Sequence, residues 1–296
     1  MNTRELRSPG QKILTYVLVL IPFIFFLCIL IVPLGTSVYY SLCNWKGVGD
    51  PKFIGLQNYT KLFRDKNFWL VVTNTLKYSL YCTIGQVGLA LIISLLLTGK
   101  TLRLKNFHRA VIFFPVVMAP VVVGFVWKIA YNADYGFINI FLRAIGLESV
   151  IRLWLDKPET IIEVVSIPVV WQYIGLYMVM LLSAMSSIDE SIYECAELDG
   201  ANGIQRALKI TLPLIWDTFK VVIILVASGT MKIYDHIIVL TGGGPGRSSM
   251  SMAVYAYQNT FSFGHFGYGS AISVMILVIA GGIGLIINFL MRRDNT

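Results

Sequence analysis

Apolar residues fall into six long runs separated by short polar stretches: roughly Ile13–Leu42, Phe68–Thr98, Ala110–Tyr131, Thr160–Met185, Leu212–Met231 and Ser270–Met291. Each reaches, or nearly reaches, the ~20 residues a helix needs to cross a ~30 Å hydrocarbon core. The pattern predicts an all-α membrane protein with six transmembrane helices. Residues 13–291 form the spanning domain, with an N-terminal tail over 1–12 and a C-terminal tail over 292–296. The fifth run is the weakest, because Asp217 and Lys220 lie early in it. The first is too long for a signal-peptide core and lacks a small-residue cleavage site, so it reads as an uncleaved span. Composition agrees: 56% of the 296 residues are hydrophobic and only 14% are charged, with a mean hydropathy of +0.71.

Basic residues orient the spans. The N-terminus, the 2–3 loop, the 4–5 loop and the C-terminus carry Arg4, Arg7, Lys12, Lys100, Arg103, Lys105, Arg109, Arg206, Lys209, Arg292 and Arg293. The longer loops on the other side carry Lys46, Lys52, Lys61, Arg64, Lys66, Arg143, Arg152, Lys157 and Arg247. The positive-inside bias puts both termini and the 4–5 loop in the cytoplasm. The net charge of +8 then follows from topology, with no need for nucleic acid as a partner. On this topology no two of the four cysteines face an oxidising compartment together, so no structural disulfide is expected. His108, His236 and His265 lie far apart, and no metal-ligand spacing appears.

Several short motifs invite chemistry they do not support. "TGKT" at Thr98–Thr101 resembles the end of a phosphate-binding loop, but the glycine needed five residues before Gly99 is replaced by Ser94. Any ATP used must therefore be bound by another chain. "TGGGPG" at Thr241–Gly246 lacks the lysine and lies on the outer side. "GGIG" at Gly281–Gly284 reads as close helix packing in the membrane. An intramembrane hydrolase would need paired metal-ligand histidines or a serine with a base at membrane depth, and His-Glu-x-x-His is absent. An ion- or proton-coupled secondary carrier usually shows midplane acids and paired repeats. Here the acids cluster in loops and no repeat is evident.

One polar stretch stands apart, "YECAELDGANGIQRALKITLPLI", Tyr193–Ile215. With the residues before it, it reads as helix, glycine turn, helix, with Asp189 as the first cap and Asp199–Gly200 as the turn. A DNA-reading helix would be basic, whereas this one carries Asp189, Glu190, Glu194, Glu197 and Asp199. Two readings fit the residues alone. The stretch is either a solvated connector, or a short helix offering a carboxylate and apolar side chains to a partner's groove.

Its spacing resembles the signature cytoplasmic loop of ABC importer permease subunits. That pattern is Glu-Ala-Ala, a glycine four positions on, and Ile-x-Leu-Pro ten further. Here it stands as Glu194-Cys195-Ala196, Gly200 and Ile210-Thr211-Leu212-Pro213, with Cys195 as the one departure. The resemblance implies the type I importer permease fold. Loop 187–210 would be the coupling helix that docks on the ATPase, with Glu194, Cys195, Ala196, Asp199, Gly200 and Ala201 at the contact and turn. "FIGLQNYTKLFRDKNFWLVVTNTLKYS" and "YDHIIVLTGGGPGRSSMSMAVYAYQNTF" resemble outer segments of the carbohydrate-uptake branch. The second, with Leu-Thr-x-Gly-Gly-Pro, is typical of the first of two paired permeases. The implied partners are a homologous second permease, two cytoplasmic ATPase subunits holding ATP and Mg, and an extracellular solute-binding protein. The cargo is a sugar or oligosaccharide, the location the bacterial inner membrane. No cofactor and no catalytic residue is expected on this chain. Gly242, Gly243, Gly244 and Pro245 become the expected contact for the binding protein.

Polar residues at membrane depth are costly and mark candidate pathways. Span four offers Trp171, Gln172, Tyr173 and Tyr177; span five and its end offer Ser228, Thr230, Lys232, Tyr234 and Asp235. Aromatic rings suit the C–H faces of sugars, and amides, hydroxyls and charges suit their OH groups. The same residue types also form interfacial belts. Glu163, Asp217 and Lys220, near span ends, read as anchors.

Overall fold

The computed structural model describes residues 9–99 and 102–292, with side chains from residue 15 onward. Expectations resting on Arg4, Arg7, Lys12, Lys100, Thr101 and Arg293 concern side chains outside that description. The chain divides into two compact units, Met1–Arg64 with Gln258–Val274, and Asp65–Tyr257 with Met275–Thr296.

In the first unit, α1 (Thr15–Ser41) is apolar on every side, and none of its most apolar stretch is buried within the chain. A helix of that kind needs lipid or another protein around it. It runs into a minimal antiparallel pair, β1 (Cys43–Asn44) and β2 (Lys52–Phe53), and then α2 (Gln57–Arg64). Buried Asn58 ties this end together, its amide donating to the carbonyls of Ser41 at 2.8 Å and Cys43 at 2.9 Å. Trp45 stacks on Tyr40 at 4.3 Å, and Lys61 lies over the Tyr268 ring at 4.7 Å. Only glycine fits at Gly267, where a Cβ would fall 2.0 Å from the Cys43 carbonyl oxygen.

The second unit is built around α7 (Ile161–Ser186), its most buried long helix. Before it come α3 (Lys66–Thr98), α4 (Lys105–Val117), α5 (Pro120–Ala130) and α6 (Phe137–Ala144). After it come α8 (Glu190–Leu198), α9 (Gly203–Leu214), α10 (Trp216–Thr230), α11 (Asp235–Leu240), α12 (Met252–Tyr257) and α13 (Phe266–Leu290), whose first residues belong to the other unit. Side chains of α3 hydrogen-bond main-chain carbonyls of its neighbours. Gln86 donates to Val169 at 3.0 Å, Ser94 to Met178 at 3.0 Å and Ser79 to Ala227 at 3.2 Å. Close approach matters most at Gly175, where a Cβ would lie 2.4 Å from the Ile112 carbonyl oxygen of α4.

Four of the six expected spans appear as single long helices: α1, α3, α7 and α13. The third and fifth do not. The third breaks into α4 and α5 with a 100° bend, the fifth into α9 and α10 with an 80° bend. The first break has a local cause. Met118 and Ala119 are extended, with ψ of 141° and 137°, and Ala119 precedes Pro120, which disfavours helical geometry there and starts α5. Among the described residues there are thus four helices long and apolar enough to cross a membrane, or up to six if each bent pair is one span. Of the "GGIG" glycines, only Gly284 has a near neighbour within the described residues, Ser228 and Ile224 of α10 at 3.6 Å.

Candidate functional site

Two regions gather the residues singled out from the sequence. The first is a cavity of about 250 Å³ between α3, α7 and the end of α10. Tyr173, Tyr177, Thr230, Lys232, Tyr234 and Asp235 all line it, so two distant runs of sequence meet at one hollow. Met231 and Lys232 turn out of α10, and Asp235 begins α11, so four consecutive residues, Lys232–Asp235, face the cavity together with His236. Apolar Val169, Leu176 and Val226 complete the wall. Flat rings beside a cation, a carboxylate and hydroxyls form a surface suited to a polyhydroxylated ligand, and nothing in it resembles a nucleophile–base pair.

The other three candidate path residues lie elsewhere. Trp171 packs edge-on against Trp127 of α5, with ring centroids 6.0 Å apart, and is not among the residues lining the cavity. Ser228 faces α13. Gln172 is 1% exposed and works behind the wall. Its amide donates to the Met118 carbonyl at 2.8 Å, and its carbonyl oxygen lies 2.7 Å from His236 Nε2. A buried chain thus runs from the cavity wall through α7 to the bend between α4 and α5. Sequence reading leaves out Gln86, Pro120 and His236, which also line the hollow. Gln86, an amide in the middle of an apolar run, is the signal that was there to be read. It sits in a π-helical turn of α3, Thr83–Val87, an irregularity common at functional sites.

The second region is the loop between α7 and α9. Asp189 caps α8, its carboxylate accepting from the Ser191 amide at 2.9 Å. That bond holds the Asp189 carboxyl below the usual carboxylate range. At the other end the Ala201 amide donates to Ala196 at 2.9 Å and the Gly200 amide to Glu197 at 3.1 Å, with Gly200 at φ +75°. This is a Schellman stop, which requires a residue free to adopt the left-handed region. Asn202 and Gln205 then form a capping box that starts α9. A nine-residue helix capped at both ends is thereby held on the surface between two long elements. Ala196 is its one buried residue; Glu194, Cys195, Asp199 and Gly200 are exposed and Ala201 is half-buried. Leu198 is 89% exposed and Ile204 73%, large apolar side chains with little cover among the described residues.

The segment Gly242–Pro245 forms a tight turn after α11, with Gly242 at φ +63° and Gly243 at φ +94°. Gly242 is exposed and Gly243 buried. The turn is clamped to α3: Asn74 donates to the Arg247 and Met250 carbonyls at 3.1 Å each, and Tyr78 to Ser249 at 3.0 Å. The anchors separate too, with Glu163 accepting from Tyr81 at 2.7 Å and Asp217 lying 3.3 Å from Lys220.

Comparison with known proteins agrees with this architecture. The family described as "Binding-protein-dependent transport system inner membrane component" matches residues 86–293. A probable ABC transporter permease protein, YurN of Bacillus subtilis, is 33% identical over 277 residues, covering 93% of this chain and 94% of the relative. The sulfoquinovosyl glycerol transport system permease protein SmoG of Agrobacterium fabrum is 31% identical over 275 residues, covering 92% and 88%. Among solved structures, a chain of a bacterial alginate ABC transporter in complex with alginate pentasaccharide-bound periplasmic protein superposes with a TM-score of 0.82. That match has 22% identity and covers 96% of each chain, so it bears on fold.

Proposed function

The chain belongs to the family of binding-protein-dependent transport system inner membrane components, and from that premise we propose how it works as half of a sugar-import pathway. It is a membrane-embedded permease component; ATP is hydrolysed on a partner subunit. Each bent helix pair counts as one span, which gives six, with both termini in the cytoplasm. This is the topology that the distribution of Lys and Arg supports. The cargo is a sugar or oligosaccharide, in keeping with relatives named for sulfoquinovosyl glycerol, starch degradation products and trehalose/maltose. A homologous second permease supplies the other half of the pathway.

The observation that carries the reading is α8. A helix this short is marginal by itself, yet here it is capped at both ends and displays Leu198 with a row of carboxylates. We read it as the coupling helix that seats on the ATPase, with Glu194, Cys195, Ala196, Asp199, Gly200 and Ala201 at the contact and turn. ATP and Mg belong to that partner. The cavity between α3, α7 and α10 lies on the cargo's path, and the Gly242–Pro245 turn meets the solute-binding protein. ATP-driven closure of the ATPases moves α8, and the spans rock between inward- and outward-facing states.

Affinity purification of the tagged chain, expressed with its genomic neighbours, tests this. A second permease and an ATPase are expected to co-purify, with at least a tenfold loss of ATPase in Glu194→Ala, since one charge-assisted contact is worth ~1.5–3 kcal/mol. Recovery of the chain alone, indifferent to the substitution, would sink the reading in favour of an ion-coupled carrier.

A further inference from the structure

The segment joining α5 to α7 contains a helix built the reverse of a water-facing one. α6 runs Phe137–Ala144, and the one side chain it buries fully is the polar Asn139. Its large apolar residues are left uncovered by the described residues. Phe137 and Phe141 are each 61% exposed, Ile140 50%, and Ile145, just past the end, 51%. Their spacing of three and four residues puts them on one face, with Asn139 opposite. α6 carries no acid and a single charge, Arg143 in its last turn. Asp134, Glu148, Asp156 and Glu159, the acids of the same segment, all fall outside it.

Local geometry fixes the helix in that orientation. Before it, the Gly136 amide donates to Asn132 at 3.1 Å, and a Cβ at Gly136 would collide with the carbonyl oxygens of Ala130 and Asn132. After it, Leu147 donates to Leu142 at 2.9 Å and Gly146 to Arg143 at 3.1 Å, with Gly146 at φ +75°, a Schellman stop. On the buried side the Asn139 amide donates to the Ala133 carbonyl at 3.2 Å, and its carbonyl oxygen accepts from the Trp154 indole at 2.8 Å. Trp154 lies against Tyr131, ring centroids 6.1 Å apart, and the Tyr131 hydroxyl donates to the Val164 carbonyl at 2.9 Å. Val164 stands at the start of α7, a helix long and apolar enough to cross a membrane. α6 is therefore tied to the end of a crossing helix, the level at which hydrocarbon gives way to water. Trp127, Tyr131 and Trp154 form a chain of ring contacts there, and such amphipathic aromatics gather at headgroup level.

We propose that α6 lies in the plane of the bilayer interface, with Phe137, Ile140, Phe141 and Ile145 inserted among the acyl chains and its Asn139 side held on the protein. Eight residues make a helix only ~12 Å long, too short to span, and one broad apolar face suits it to the interface. α5 ends at Ala130, close before it in the chain, and Phe125, Val126 and Ile129 of α5 are uncovered as well, so one lipid surface serves both helices. A protein occupant fits less well. A solute-binding protein must leave in every cycle, and releasable interfaces mix polar with apolar groups, whereas this stripe offers four large apolar side chains and no hydrogen-bonding group. Lipid contact holds for either orientation of the chain; that the leaflet is the outer one rests on the topology proposed above. Through Trp154 and Tyr131, the bilayer surface then braces the joint between α5 and α7.

The test is photocrosslinking of the full chain, purified with its co-purifying proteins and reconstituted in nanodiscs of phosphatidylethanolamine and phosphatidylglycerol. Benzoylphenylalanine replaces Phe137 or Phe141, a change conservative in shape, or Asp156, an exposed residue of the same segment that serves as the solvent control. Adducts are identified by mass spectrometry, with and without added binding protein. Lipid adducts at Phe137 and Phe141 are expected at least fivefold above those at Asp156. Adding Phe141→Asp should cut the lipid adducts at Phe137 at least threefold, whereas Arg143→Gln, off the apolar stripe, should leave them unchanged. Adducts mainly to the binding protein or to a second permease, no excess of lipid over Asp156, or indifference to Phe141→Asp overturns the proposal. Co-purification of permease and ATPase reads out the importer assignment independently. Lipid adducts on a chain that purifies alone would leave α6 in the interface and remove the importer reading.

Discussion

Replacing Gln172 by Leu, similar in size but apolar, tests the buried chain that joins the cavity wall to the α4–α5 bend. Gln172 and His236 are 1% and 3% exposed, so the bonds between them are made in a largely dry setting. Leucine removes the donor to the half-buried Met118 carbonyl and the partner of the buried His236 Nε2, and leaves both without that bond. In soluble proteins each orphaned group costs ~1–3 kcal/mol. Inter-helix hydrogen bonds in membrane proteins average nearer ~0.6 kcal/mol, with a maximum of about 1.7. The lower scale is the better guide for helices in a bilayer, so two lost bonds come to about 1–3 kcal/mol, offset in part by the apolar burial of leucine. The double variant Gln172→Leu/His236→Leu should recover part of that loss, with a coupling energy of about 0.5–1 kcal/mol. The assay is a reversible unfolding titration in mixed micelles, run as a full double-mutant cycle beside hydrogen exchange of the amides at Val122 and Val123, which bond to Ala119 just past the bend. Exchange there should rise in Gln172→Leu. A single variant as stable as wild type, or a strictly additive cycle, would refute the idea that this chain fixes the bend.

Gly175→Ala should destabilise by about 1–3 kcal/mol, the usual cost of overpacking, because its Cβ would meet main-chain atoms of α4 at 2.4 Å and 2.7 Å; Gly281→Ala, with open space around it, is the control and should be neutral in the same titration. Asp189→Ala should speed hydrogen exchange at Ser191–Tyr193 by unfastening α8. Because the folded carboxyl titrates below its ordinary range, the cap's contribution is present above that range and is lost as pH falls through the lowered value. Wild type and variant should therefore exchange alike only in strong acid, and a difference that persists there would count against the cap.

The reach of sequence reading follows a physical boundary. Helix existence was legible, because crossing a bilayer demands ~20 apolar residues and α1, α3, α7 and α13 supply them without interruption. The capped helix between α7 and α9 was legible because its ends are set locally. Asp189 and Gly200 each act within a few residues of chain, so their chemistry is printed in order along the sequence, whereas the Asn202 cap of α9 was not read there. The two bends were harder to see. Hydropathy averages over the extended pair Met118–Ala119 and over Ile215, and only Pro120 hinted that the third run would fold back. Side-chain direction was the least legible of all. Gln172 and Tyr173 are adjacent and equally polar, yet the helix turns one toward the bend and the other toward the cavity. A period of 3.6 residues fixes their separation around the axis, but which of them meets the hollow depends on where α3 and α10 pack, and that is settled by Ser79, Gln86 and Ser94 reaching across to carbonyls far away in sequence. His236 shows the same limit. Read as an isolated histidine, it becomes part of the cavity only when the end of α10 and the start of α11 bring it against α7. Chemistry written in neighbouring residues could be read directly, while chemistry assembled by packing needed the fold.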